Sequence, residues 1–173
     1  MIRYVALLRG VNLLGNSTLK MSDLRDIAQE LGLGSVRTFI ASGNLLFTSD
    51  LREPQLSRML EDRLEAHLGR AVRVMVRTAE EMAAAYRASP FPDAAGNNTL
   101  CFFMNDAPPN DLLATVRGRA DDERIAAGVR EVYVAYGERG IGRSRLRIPA
   151  AEAGTARNMN TVGKLAELAK ELE

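Results

Sequence analysis

Val36-Arg37-Thr38-Phe39-Ile40-Ala41-Ser42-Gly43-Asn44-Leu45-Leu46-Phe47-Thr48 reads as two short strands, Val36 to Ala41 and Leu45 to Thr48, joined across the turn signal Ser42-Gly43-Asn44. Upstream, Tyr4 to Leu8 is apolar at both alternating sets, the pattern of a strand covered on both faces. Between the two, Leu24, Ile27, Ala28 and Leu31 recur at helical spacing behind Ser22 as a cap, and Gly32 and Gly34 end the helix. Downstream, Pro54 suits a first helical turn, Leu56, Met59, Leu60, Leu64 and Leu68 line one face as far as Gly69, and Val72 to Val76 is a last strand. Strand, helix, strand, turn, strand, helix, strand is the split βαβ or ferredoxin-like order. It predicts that Arg3 to Leu8 and Leu45 to Thr48 are adjacent and antiparallel.

The second half repeats the theme. Ala79 to Ala88 reads as helix, and Ser89 to Asn98 is a connector broken by Pro90, Pro92 and Gly96. Then come a strand at Leu100 to Met104, a helix from Pro109 to Arg117, strands at Ile125 to Val129 and Val132 to Tyr136, an extended arginine-rich stretch, and a closing helix carrying Val162, Leu165, Leu168 and Leu172. That is the same unit short of its last strand. The expectation is an α+β protein of two ferredoxin-like halves packed together, residues 1–77 and 78–173 with the connector at 89–98, the sheets largely antiparallel and burying each other's open faces.

Composition narrows the function classes. Of 173 residues, 46% are hydrophobic and 26% charged, globular proportions with no membrane-length apolar run and no leader pattern at Met1, so a cytoplasmic protein is expected. The single cysteine, Cys101, lies in the apolar run Leu100 to Met104 and reads as an inert core thiol; an intrachain disulfide or a multi-cysteine zinc site is excluded. Net charge is +1, with only three lysines among 23 basic residues, which gives no electrostatic case for nucleic acid.

Three motifs come close to known chemistry and miss. Gly10-Val11-Asn12-Leu13-Leu14-Gly15-Asn16-Ser17 has phosphate-loop spacing but Asn16 in place of the lysine. Gly142-Arg143-Ser144-Arg145-Leu146 lacks the final glycine of a nucleophile elbow, and Gly137 to Gly142 has the wrong glycine order for a dinucleotide fingerprint. His67, the single histidine, belongs to the end of a helix, where it complements the dipole. Asp121-Asp122-Glu123 reads as diverging acids on a solvated face.

Topology supplies a better pointer. In the split βαβ unit the loop after the first strand and the turn after the second lie at one end of the sheet, beside the first helix's N-terminus. Arg9, Gly10, Asn12, Gly15, Asn16 and Lys20 are thus expected near Ser42, Gly43 and Asn44, where helix amides and glycines suit an anion. Arg143, Arg145 and Arg147 alternate so that an extended strand would project them to one side, as an anion clamp or as a charged edge. Thr155-Ala156-Arg157-Asn158-Met159-Asn160-Thr161 opens the last helix with caps, and Arg157 there calls for an anion or acid to answer it.

Tyr4 to Asn12, Lys20-Met21, Val36 to Asn44, Gly142-Arg143-Ser144 and Thr155 to Thr161 together resemble the bacterial domain-of-unknown-function family 1697, almost end to end. The resemblance implies a two-part α/β fold and no established activity; the family tends to glycine-lysine at Gly15-Asn16 and tryptophan at Met159. The function expected is binding, or acting on, a small anionic ligand such as a phosphate ester or nucleotide in a cleft between the halves. The residues expected to hold it are Arg9, Asn12, Lys20, Ser42, Asn44, Arg143, Arg157 and Asn158, with no metal. The alternatives are a nucleic-acid module, disfavoured because both central strands lack aromatic RNP motifs, and an assembly protein that uses the arginine strand as an edge.

Overall fold

The computed structural model describes residues 1–13 and 18–173, so the Gly15-Asn16-Ser17 end of the phosphate-loop lookalike lies outside the described residues. The chain divides into two compact units, Met1–Ala83 with Leu165–Glu173, and Ala84–Lys164.

The first unit holds β1 (Ile2–Leu8), α1 (Met21–Glu30), β2 (Gly34–Thr38), β3 (Asn44–Ser49), α2 (Glu53–Leu68) and β4 (Val74–Thr78). Its sheet order is β2-β3-β1-β4, every neighbouring pair antiparallel. β1 and β3 pair from Ile2 opposite Ser49 to Leu7 opposite Asn44, as the βαββαβ reading requires. Tyr4, Ala6, Leu8, Leu45, Phe47, Val74 and Val76 form one buried face beneath Leu24 and Ile27 of α1 and Leu56, Leu60 and Leu64 of α2. Tyr4 and Phe47, directly opposite in register, stack with centroids 5.6 Å apart. Val5, Leu7, Leu46 and Met75, on the other face, are buried as well, so the two-sided apolar pattern of β1 is accounted for.

Two boundaries move for physical reasons. Lys20, not Ser22, is the N-cap of α1: its carbonyl accepts from the Leu24 amide, and Ser22 lies within the helix with its neighbours. β2 starts at Gly34 and stops at Thr38 rather than Ala41, because Ile40 takes a left-handed backbone, φ 53°, and the turn consumes three further residues. The ends of α1 and α2 do fall at glycines, Gly32 and Gly69, with φ 78° and 72°.

The second unit repeats the order. α3 (Ala79–Arg87) leads to β5 (Thr99–Phe103), α4 (Leu112–Thr115), β6 (Arg124–Ala127), β7 (Glu131–Ala135), β8 (Thr155–Asn158) and α5 (Met159–Lys170). The boundary between units falls within α3 and again within α5. Sheet order is β6-β7-β5-β8, again all antiparallel, which matches the first sheet strand for strand. The unit therefore has a fourth strand, β8, where the sequence reading has none. The helix expected over Pro109 to Arg117 shrinks to four residues, and the extended arginine stretch is not a strand: 3₁₀ turns occupy Ile141–Arg143 and Pro149–Ala151, with only Arg147 bridging to Arg117. This irregular segment stands where α2 stands in the first unit. Its Leu146, Ile148 and Ala151 pack with Phe102, Val132 and Val134 over one face of the sheet.

Candidate functional site

In the first unit, the loop after β1 and the turn after β2 are tied together. The Leu8 amide donates to the Gly43 carbonyl at 2.9 Å, and Asn12 Nδ2 donates to the carbonyls of Ala41 at 2.7 Å and Leu19 at 2.8 Å. The Leu19 amide donates back to Asn12 Oδ1 at 2.7 Å, closing the neck of the loop. Gly43 has φ 89°, and a Cβ there would lie 2.5 Å from Val11 Cγ2, so glycine is what lets the two loops meet. Asn44 is fully buried; its Nδ2 donates to the Phe39 carbonyl and to Ser42 Oγ, bracing the turn from inside. Arg9 and Lys20 are exposed at the rim.

Two arginines absent from the sequence reading join them. The Arg9 amide donates to the Arg73 carbonyl at 2.9 Å, and Arg70 Nη2 donates to the Gly10 carbonyl at 3.3 Å. Arg70 Nε is buried with no hydrogen-bond partner among the described residues. The signal for both was available: β4 runs antiparallel to β1, with Val74 opposite Leu8, so residues just before β4 return to the end where β1 finishes.

The remaining expected residues, Arg143, Arg157 and Asn158, lie in the second unit. Arg143 is exposed in its 3₁₀ turn. Arg157 is a strand residue opposite Cys101, buried, donating to Thr155 Oγ1 at 2.8 Å and the Ala156 carbonyl at 2.9 Å. Burial lowers its pKa to about 10. Asn158 Oδ1 accepts from the Thr161 amide at 2.9 Å, a helix cap, as the sequence suggests. Glu123 corrects the solvated-face reading: it is buried, accepting from the Ala120 amide at 2.7 Å and from the Ser144 hydroxyl. Asp122 accepts the Glu138 amide, so these acids diverge to brace separate loops. His67 stands at the end of α2, 3.5 Å from Asp23, in agreement with a helix-end role. Among the described residues no three His, Cys, Asp or Glu side chains converge as a metal site needs, and no helix is long and apolar enough to cross a membrane.

The second unit also contains a half-open cavity of about 340 Å³ that the sequence reading did not anticipate. Tyr86 and Arg87 from the end of α3, Phe91 and Pro92 from the connector, and Met159 and Asn160 from the start of α5 line it. Its walls combine Tyr86 to Pro92 with Met159 and Asn160, which lie far apart along the chain, so no local pattern reveals it.

Comparison with known proteins agrees with this architecture. The model of the family described as Protein of unknown function (DUF1697) matches residues 1–133. The chain is similar to the solved structure of a conserved bacterial protein from Streptococcus pneumoniae, with a TM-score of 0.77 at 22% sequence identity over 97% of this chain and 98% of that one. At that identity the likeness concerns the fold alone. No curated protein matches the chain.

Proposed function

The chain belongs to the DUF1697 family, and from that premise we propose that its first unit binds a small anionic ligand of the phosphate-ester class at the loop end of its sheet. The observation that carries this reading is Arg70. A guanidinium offers five donors in a fixed fork, and burying one without an acceptor costs free energy that an arriving oxyanion would restore. Nη2 reaches the Gly10 carbonyl while Nε has no acceptor among the described residues. Arg9 and Lys20 come from the adjoining loop, whose neck Asn12 closes. Asn12, Ser42 and Asn44 then act as scaffold: their side chains hold the loops that carry the cations.

The test is calorimetric titration of the protein with inorganic phosphate and with sugar phosphates. Arg9→Ala and Arg70→Ala should each weaken binding by about 1.5 to 3 kcal/mol, the range for hydrogen bonds to charged groups, with the circular dichroism spectrum unchanged. Absence of saturable binding, or binding indifferent to both substitutions, rejects the reading. A slope of affinity against salt as steep as that of a protein neutralising many phosphates would instead favour nucleic acid.

A further inference from the structure

The cavity of the second unit has the composition of a ligand site rather than of a packing defect. Its volume of about 340 Å³ is at the small end of ligand pockets. Tyr86 leaves 48% of its surface exposed at the wall, although a large aromatic gains most from being covered. The walls are also fixed without help from an occupant. Arg124 lies 4.8 Å above the Phe91 ring and pairs with both carboxylate oxygens of Asp93, at 3.2 and 3.1 Å, which clamps the connector. Gly96 lets Asn160 approach so closely that a Cβ at Gly96 would lie 2.1 Å from its Oδ1, and a Cβ at Gly163 would lie 2.7 Å from the Tyr86 ring. Two wall side chains are thus seated against glycines that nothing larger could replace without moving them.

The chemistry of the walls selects the occupant. Tyr86, Phe91 and the Met159 thioether offer flat, polarisable contact suited to a planar ring. The Asn160 carboxamide carries a donor and an acceptor side by side, the pair that reads a ring edge bearing both. Arg87 adds a guanidinium for a negatively charged substituent. We propose that this cavity binds a planar heteroaromatic ring carrying one anionic group, a molecule of mononucleotide size. The cavity's lining lies wholly within Ala84–Lys164 and shares no residue with the anion site proposed for the first unit.

AMP, adenosine, ribose 5-phosphate and inorganic phosphate are the probes, titrated into the full chain and followed by saturation-transfer NMR and calorimetry. AMP should bind, with its ring protons receiving the strongest transfer, and adenosine should bind more weakly. Tyr86→Ala should weaken AMP by about tenfold or more, the effect of losing one stacking surface. Arg87→Gln should weaken AMP but leave adenosine unchanged, and Asn160→Ala should weaken both. Tyr86 and Arg87 are exposed, so these variants should fold, which thermal melting checks. Arg70→Ala should leave AMP binding here intact. The proposal is overturned if AMP does not bind, if AMP binding is lost with Arg70→Ala and indifferent to Tyr86→Ala, or if phosphate competes fully while adenosine gives no transfer. The last two results would leave the anion site of the first unit standing.

Discussion

Asn12 has a left-handed backbone, φ 56°, that asparagine tolerates better than most residues, and its carboxamide makes three hydrogen bonds to backbone groups of Leu19 and Ala41. Such a side chain is committed to the fold. Asn12→Ala should therefore lower unfolding stability by about 2 to 4 kcal/mol in urea titration, since it orphans two carbonyls and an amide and leaves the strained backbone in place. Asn12→Asp retains the acceptor for the Leu19 amide and should fall in between. A variant of undiminished stability that loses phosphate binding would make Asn12 a ligand residue instead. Alkaline pH tests other single residues. Burial, and secondarily the charge of Glu123, raises the Tyr136 phenol to about 12, and burial raises Tyr4 and Tyr133 as well. A phenol held neutral in the folded state while the unfolded chain ionises near 10 stabilises fully below about pH 10, and that contribution disappears as pH rises through the folded value. Arg157 has the opposite sign: lowered to about 10 by burial, it releases its proton earlier in the folded state, which favours folding as pH rises. Three tyrosines outweigh one arginine. Stability should thus fall between about pH 10 and 12, with tyrosinate absorbance rising together with unfolding, and Tyr136→Phe should make the decline shallower. Tyr4, Tyr133 and Tyr136 titrating near 10 in the folded protein would contradict this.

At the scale of elements, the first unit was legible because each element carries its own period and punctuation. Leu56, Leu60 and Leu64 repeat every four residues and Gly69 ends them; β1 is apolar from Tyr4 to Leu8. The second unit was harder where tertiary contacts overrule local pattern. β8, Thr155–Asn158, has no large apolar residue; it is a strand because β5 offers it an antiparallel edge. The alternation of Arg143, Arg145 and Arg147 mimics a strand, yet Ser144 is held by Glu123 and turns the chain. The residues of the proposed anion site divide the same way. Arg9, Asn12 and Ser42 could be grouped from topology, whereas Arg70 required knowing how β4 returns along β1. Glu123 is the control point of the irregular crossover: it accepts from the Ala120 amide and the Ser144 hydroxyl while its carbonyl accepts Arg119 Nε at 2.7 Å. Glu123→Ala should cost about 2 to 4 kcal/mol, as removal of a buried charged acceptor does, and trypsin should cut after Arg143 or Arg145 much sooner than in the parent protein. Equal cleavage rates would mean that the Arg117–Arg147 bridge and the apolar contacts of Leu146 and Ile148 hold the segment by themselves.

For the molecule as a whole, one strand order is built twice from sequences with no visible repetition. In each unit the first strand sits inside the sheet, between the third and the fourth, so the most central residues come from β1 and β5. That placement buries the single cysteine. Cys101 lies at the middle of β5, fully buried, with Tyr133 opposite on one side and Arg157 on the other. An interior strand cannot fray from an edge: to expose Cys101, neighbouring strands must separate, which is close to unfolding the unit. A thiol reagent should therefore label the native protein about 1,000-fold or more slowly than the denatured chain, because a stability of even about 5 kcal/mol leaves fewer than about one molecule in a thousand open. Labelling should accelerate in urea in step with the loss of circular dichroism, and Glu123→Ala should speed it by the factor its stability loss predicts, since both residues belong to Ala84–Lys164. Native labelling within about tenfold of the denatured rate would show that β5 opens locally, and the interior-strand account of Cys101 would be lost.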